Sequence, residues 1–130
     1  MAVDLNMNIL IVDDYKTMLR VIHNLLNQIG FKNIDEATDG KAALTQLASG
    51  KKYGLIISDW NMEPMSGIDL LKAVRAGEGG HEKVPFIMVT AEGKVENVMV
   101  AKQAGVSNYI VKPFSADVLK SKIAAVLGAF

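Results

Sequence analysis

The chain has 130 residues, a length that suits one domain with a single hydrophobic core. Acidic and basic side chains balance at 14 each, which argues against broad nucleic-acid binding because that requires a basic surface. The absence of cysteine excludes a disulfide framework and thiol chemistry. No apolar run is as long as a membrane span, and the start MAVDLNMN is acidic where a signal peptide is basic. We therefore expect one cytoplasmic domain over residues 1–130, with no output domain and no affinity for nucleic acid or membrane.

Short aliphatic or β-rich runs alternate along the chain with longer segments of helical periodicity. The predicted strands are NILIV (8–12), NIDEA (33–37), GLIISD (54–59), PFIMVT (85–90) and NYIV (108–111). A helix is predicted after each strand; the first four end near Gly30, Gly50, Gly77 and Gly105, and the last begins after Ser115. Apolar strands that alternate with helices indicate a parallel sheet covered on both faces, and five units are too few for an eight-stranded barrel. We predict an open three-layer α/β sandwich.

Polar residues follow four of the predicted strands, and in open α/β sheets ligands bind beyond the carboxyl ends of the strands. These residues are Asp13 and Asp14, Asp59, Thr90 and Lys112. If the strand order is 2-1-3-4-5, the first and third strands are neighbours and the three aspartates meet in one shallow pocket beside the threonine and lysine. Adjacent ionised carboxylates repel each other, so a cation is expected to lie beside them and keep them ionised. Mg²⁺ prefers such oxygen ligands. A carboxylate beside Mg²⁺ can attack a phosphoryl group, whose charge the metal, Lys112 and Thr90 then share.

Each of these residues also has a purely structural interpretation. Asp13, Asp14 and Asp59 could cap the helices that follow them, and Lys112 could be a solvated charge before a proline turn. Because all of them fall at one edge with complementary charge, a functional site is the better interpretation.

The methionines and histidines are interpreted as structural residues. Met62, Met65 and Met99 are predicted to fill gaps in the core. His23 and His81 lack the spacing of metal ligands and are predicted to lie at the surface.

Four motifs, VDD, SDWNM, VTAE and YIVKPF, resemble those of response-regulator receiver domains, in particular single-domain chemotaxis regulators, and the resemblance covers essentially the whole chain. It implies a flavodoxin-like (βα)5 sandwich with a parallel sheet of order 2-1-3-4-5. It also implies a two-component response regulator, which is no enzyme beyond catalysing its own phosphorylation and dephosphorylation. The implied partners are a histidine kinase as phosphodonor, a protein target such as the flagellar motor switch and, optionally, a phosphatase. We expect a monomer.

The resemblance assigns roles at the site. Asp59 is the phospho-acceptor, and Asp13, Asp14 and Asp59 bind Mg²⁺ together with the backbone carbonyl of Asn61. Lys112 pairs with the phosphoryl group, and its peptide bond to Pro113 is expected to be cis.

The resemblance also implies a switch. Thr90 moves toward the phosphoryl group, Tyr109 moves inward behind it, and the face formed by the fourth helix, fifth strand and fifth helix changes its affinity for a partner. Lys94, Tyr109 and Lys122 are placed on that face, although the two lysines are equally well explained as solubilising charges.

Two positions tune dephosphorylation in receiver domains, and here they hold Asn61 and Glu92, both types found in the chemotaxis regulators. The chain departs from the usual D-x-x-M-P pattern, because DWNMEPM has Glu63 after the methionine and Pro64 one residue later. We expect Glu63 to stay solvated and to perturb Mg²⁺ affinity slightly.

Several other functions remain open. A haloacid-dehalogenase-type phosphohydrolase needs a second acidic residue where Asn61 stands and a cap domain for which there is no room. A flavodoxin-like nucleotide binder needs an anion-accepting first loop, whereas DDYK would repel phosphate. A pseudo-receiver usually lacks the acceptor or the lysine, and both are present. A phosphate sink or a stress-signalling regulator would have much the same sequence.

Overall fold

The structure is a computed structural model that describes residues 3–91 and 95–128. Strands and helices alternate strictly through the described residues, except for a 3-10 turn at Glu78–Gly80. The strands are β1 Asn8–Val12, β2 Asn33–Ala37, β3 Leu55–Asp59, β4 Phe86–Thr90 and β5 Asn108–Val111. The helices are α1 Lys16–Ile29, α2 Gly40–Leu47, α3 Gly67–Arg75, α4 Val95–Ala104 and α5 Ala116–Leu127.

The five strands form one parallel sheet with the order β2-β1-β3-β4-β5, as predicted. Val12 at the end of β1 pairs with Ser58 near the end of β3, so the residues that follow both strands come out at the same edge. The order reverses between β1 and β3, which is where flavodoxin-like sheets bind their ligands.

Alternate residues of the buried strands face two apolar layers. One layer, with Leu10 and Ile56 at its centre, lies under α2, α3 and α4. The other, with Ile11 and Ile57, lies under α1 and α5. The three-layer sandwich is therefore confirmed.

The interpretation of Met99 as a core residue is wrong. Met62 is buried and Met65 packs against the core, but Met99 is 55% exposed and Val100 beside it is also exposed. Ala101 supplies the buried position of α4 instead. Because α4 carries apolar residues around most of its circumference, periodicity cannot assign its inner face.

The two histidines lie partly exposed, in agreement with their predicted surface location. His23 pairs with Glu36 through Nδ1 and Oε2 at 3.0 Å, whereas Nε2 of His81 accepts the backbone N–H of Tyr53 at 3.1 Å. The segment 76–85 thus contains the 3-10 turn and a contact to the core. Over the described ranges, no helix is both long and apolar enough to span a bilayer.

Candidate functional site

Three carboxylates meet at the carboxyl edge of the sheet. Asp13 follows β1, Asp59 ends β3, and Asp14 lies beside them, with one carboxylate oxygen of each within 4.8 Å of the others. Asp13 and Asp59 are buried and Asp14 is exposed, so the group forms a pocket with one open side. The predicted convergence of the three aspartates is what the structure shows.

Asp13 has the most unusual environment of the three. Its Oδ1 accepts the backbone N–H of Tyr15 at 2.9 Å, while its buried Oδ2 accepts no hydrogen bond from any described residue. Burial raises the pKa of Asp13 to about 6, an effect that the N–H of Tyr15 opposes and the negative charge of Asp59 reinforces. A buried carboxylate oxygen without a donor is costly, and a cation at this point would satisfy it.

Lys112 supplies one positive charge to the pocket. Its Nζ lies 2.9 Å from Oδ1 of Asp59 and 3.9 Å from Oδ2 of Asp13, and its side chain is only 23% exposed. The backbone N–H of Lys112 donates to the carbonyl of Thr90 at 2.8 Å, which continues the β4–β5 pairing to the edge. The Lys112–Pro113 peptide bond is cis, as the family resemblance implied. Lys112 is therefore a paired, half-buried charge and not a solvated one.

The capping interpretation of the aspartates is wrong. The residue that precedes α1 is Tyr15, whose side chain makes no capping hydrogen bond. The residue that precedes α3 is Ser66, whose hydroxyl accepts the N–H of Asp69 at 3.2 Å. Neither Asp14 nor Asp59 takes part in the start of a helix, which leaves both carboxylates available at the pocket.

The predicted switch residues lie on the neighbouring strands β4 and β5. Thr90 is buried at the end of β4, and Tyr109 on β5 is half-buried against the core. The ammonium of Lys122 on α5 lies 5.2 Å from the ring centroid of Tyr109, within the range of a cation–π interaction. Glu92 and Lys94 fall outside the described residues.

The loop from β3 to α3 carries the departure from the family pattern. Asn61 and Glu63 are exposed, so the expected solvation of Glu63 is confirmed. The Glu63–Pro64 peptide bond is cis. The loop ends at Gly67, the first residue of α3, to which the sequence analysis gave no role.

The donor set fits a hard divalent cation. Mg²⁺ commonly binds through one or two carboxylates and keeps water in its remaining positions. Asp14 is exposed, so water can reach the cluster from its side, and the buried Oδ2 of Asp13 lacks a donor among the described residues. The three carboxylates can therefore hold a divalent metal ion at this edge of the sheet.

Comparisons with known proteins agree with this geometry. Residues 9–124 match the family model described as the response regulator receiver domain. The chain is 55% identical over 117 residues to the chemotaxis protein CheY of Pseudomonas aeruginosa, covering 90% of this chain and 93% of that protein. Among solved structures, Vibrio cholerae CheY4 aligns with a TM-score of 0.85 and 31% identity over 94% of this chain and 99% of that one. The receiver domain of a Pseudomonas aeruginosa sensor histidine kinase, solved with magnesium in its active-site cleft, aligns with a TM-score of 0.83 and 27% identity over 95% and 99%.

Proposed function

Because this chain belongs to the response regulator receiver family, we propose that it accepts a phosphoryl group on Asp59 in a Mg²⁺-dependent reaction. One observation carries the proposal above all. The carboxylate of Asp59 lies in a pocket that holds two further carboxylates and the ammonium of Lys112 2.9 Å away. That arrangement suits an anionic nucleophile and an incoming phosphoryl group whose charge must be neutralised from both sides.

The proposed metal ligands are the carboxylates of Asp13, Asp14 and Asp59 and the backbone carbonyl of Asn61. Mg²⁺ bound there would withdraw charge from the phosphoryl oxygens and keep the carboxylates ionised. An oxygen of Asp59 attacks the phosphorus of a phosphohistidine in the kinase, the P–N bond breaks, and its electron pair stays on the imidazole nitrogen. Lys112 then transfers its ion pair from the carboxylate to a phosphoryl oxygen.

The proposed output is a change of surface. The phosphoryl group adds charge and acceptor oxygens at Asp59, which draw the hydroxyl of Thr90 toward them. Tyr109 then moves from its half-buried position into the vacated space, and its contact with Lys122 changes. The face made by α4, β5 and α5 thereby gains or loses affinity for a partner. Asn61 and Glu92 are proposed to set the rate at which the phosphoryl group is lost.

The chain is a regulator of the CheY type, and its place in a pathway is part of the proposal. We propose that the protein is cytoplasmic, that a histidine kinase phosphorylates it and that the modified form binds a protein target such as the flagellar motor switch, since the chemotaxis protein CheY of Pseudomonas aeruginosa is 55% identical to it. A monomer and a separate phosphatase remain expectations. Phosphate-sink and stress-signalling roles would use the same site and differ only in what the modified form binds.

Trp60, which follows the acceptor, is the only tryptophan and provides a direct test. Its fluorescence is followed during titration with Mg²⁺ and then with a small phosphodonor, and intact mass reports the number of phosphoryl groups. We expect a Mg²⁺-dependent change and one added phosphoryl group. Asp59→Asn should gain none, whereas Asp117→Asn, which alters an exposed carboxylate in the first turn of α5, should behave like the wild type.

The negative outcomes have distinct meanings. Metal binding without phosphoryl transfer identifies a pseudo-receiver, a binding module that is never phosphorylated. No response to metal contradicts the proposed site altogether.

A further inference from the structure

Gly67, the first residue of α3, is in direct contact with the backbone at the end of β3, the strand that carries Asp59. Its N–H donates to the carbonyl of Trp60 at 2.8 Å, which closes the loop between β3 and α3. The residue is buried, and its φ lies outside the left-handed region that favours glycine. Backbone conformation therefore does not explain why glycine stands here.

Space does explain it. A Cβ built on Gly67 would lie 2.9 Å from Cα of Trp60 and 2.8 Å from Sδ of Met88, and nearer still to the carbonyl oxygen of Asp59. The methionine can turn away, but two of these three contacts are to backbone. Any side chain at this position must push α3 away from the sheet or displace the Asp59–Trp60 backbone.

The same stretch of backbone is fixed by two further hydrogen bonds. The hydroxyl of Ser58, which is fully buried, donates to the carbonyl of Asp59 at 3.0 Å. The N–H of Trp60 donates to the carbonyl of Val89 at 2.9 Å. The Asp59–Trp60 segment therefore cannot shift without breaking contacts on its other sides.

We propose that Gly67 is a positioning residue for phosphoryl transfer. Because it has no side chain, α3 packs directly on the backbone of Asp59 and Trp60 and so sets the direction of the acceptor carboxylate and of the Asn61 carbonyl that follows. The inference rests on the proposed function of the site. Since a displacement of about 1 Å can slow a positioned reaction about 100-fold, the effect should be large.

The test compares Gly67→Ala with Gly54→Ala. Gly54 precedes the other end of β3, and the atoms nearest to its added Cβ would belong to the side chain of Met7, at 3.1 Å or more, and not to backbone. For Gly67→Ala we expect weaker Mg²⁺ binding and a phosphorylation rate from acetyl phosphate that is lower by about 100-fold. Gly54→Ala should keep the wild-type values of both.

A second variant separates positioning from packing. Met88→Val removes Sδ, so Gly67→Ala/Met88→Val loses the side-chain clash but keeps both backbone clashes. If Gly67 acts by positioning, the double variant unfolds at a higher temperature than Gly67→Ala but is phosphorylated no faster. Recovery of both properties in the double variant would show that the defect is one of packing and would overturn the proposal.

The remaining outcomes are also decisive. If neither Gly67→Ala nor Gly67→Ala/Met88→Val folds, Gly67 serves the fold and the proposal is wrong. If Gly67→Ala folds and is phosphorylated at the wild-type rate, the proposal is wrong while the proposed function stands. If the wild type itself gains no phosphoryl group, it is the proposed function that has failed.

Discussion

Asp13 carries a negative charge that the metal-free fold opposes. Its pKa is raised from 3.8 to about 6, so the folded metal-free protein holds this proton more tightly than the unfolded chain does. The free energy of unfolding must therefore fall as the pH rises from about 4 to about 6 and must stay lower above that range. At about 1.4 kcal/mol for each pKa unit, the penalty is on the order of 3 kcal/mol.

We therefore expect Asp13→Asn to raise the free energy of unfolding at pH 8 without metal, and to change it little at pH 4. The amide can still accept the N–H of Tyr15, so the substitution removes the charge and not the hydrogen bond. Urea unfolding in EDTA at the two pH values measures the difference. Asp14→Asn, which alters an exposed carboxylate, is the control and should show no such gain. A destabilised Asp13→Asn at pH 8 would contradict the argument.

Lys112 gives a second prediction at this scale. Its ammonium forms an ion pair with Asp59 in the unmodified protein, so it competes with a metal for the same carboxylate. Lys112→Gln should bind Mg²⁺ at least as tightly as the wild type but accept a phosphoryl group more slowly, by about 10-fold to 100-fold, because one charge partner of the phosphoryl oxygens is missing. Calorimetric titration and intact-mass time courses measure the two properties. Lys32→Gln, a change of an exposed residue in the α1–β2 loop, should alter neither property. If Lys112→Gln lost Mg²⁺ affinity as well as phosphorylation rate, Lys112 would not compete with the metal for Asp59.

The charged residues of the site were predictable because parallel strands bring their carboxyl ends to one edge, so Asp13, Asp59 and Lys112 follow from strand order alone. Gly67 was not predictable in the same way. Gly67 contributes by having no side chain. The path of the β3–α3 loop, which strand order does not determine, brings it against the backbone of Asp59 and Trp60.

At the scale of whole elements, the prediction succeeded where burial has a clear period. Four of the five strands consist mainly of apolar residues, β2 (NIDEA) being the exception, and the observed limits of all five differ from the predicted ones by one residue at most. The prediction failed at α4, where Met99 was interpreted as a core residue. Apolar residues lie on several sides of this helix, so periodicity does not show which of them faces the core. The prediction also missed how β2 is held, since that depends on polar contacts between residues far apart in sequence.

Tyr53 is the centre of that polar attachment. Its hydroxyl donates to Oδ2 of Asp35 on β2 at 2.7 Å, and Nζ of Lys51 lies at the same distance from the same oxygen. Burial and the neighbouring carboxylate raise the pKa of Tyr53, so the hydroxyl stays protonated and can donate. The attachment joins the edge strand to the loop before β3, at the end of the sheet opposite the aspartate pocket.

Tyr53→Phe should lower the free energy of unfolding by about 1 to 2 kcal/mol, because a partly buried hydrogen bond to a charged group is lost. The rate of phosphorylation should not change, since the site lies at the other edge. Denaturant unfolding and phosphorylation assays measure the two. Tyr15→Phe, which removes the hydroxyl of a tyrosine that is 61% exposed, is the matched control and should be neutral for stability. A slower phosphorylation in Tyr53→Phe would mean that the two ends of the sheet are coupled.

For the molecule as a whole, the pocket joins parts of the fold that are distant in sequence. Asp13 follows β1, Asp59 ends β3 and Lys112 follows β5, so a ligand shared by the aspartates binds only when the central strands are assembled. Such a ligand stabilises the folded state by an amount that grows with the logarithm of its concentration. Without metal, the fold holds mutually repelling carboxylates together. A cation that offsets this repulsion should therefore raise the free energy of unfolding.

Mg²⁺ at about 100 times its dissociation constant should therefore add about 2.7 kcal/mol and raise the Tm by about 10 °C at pH 8. EDTA should reverse the shift, and an equal ionic strength of NaCl should not reproduce it, because screening acts weakly on buried charge. Asp13→Asn should begin with a higher Tm than the wild type and gain less from Mg²⁺, since it lacks both the repulsion and one ligand. A wild-type Tm that responds equally to NaCl and to Mg²⁺ would mean that the carboxylates sense ionic strength alone and hold no specific metal.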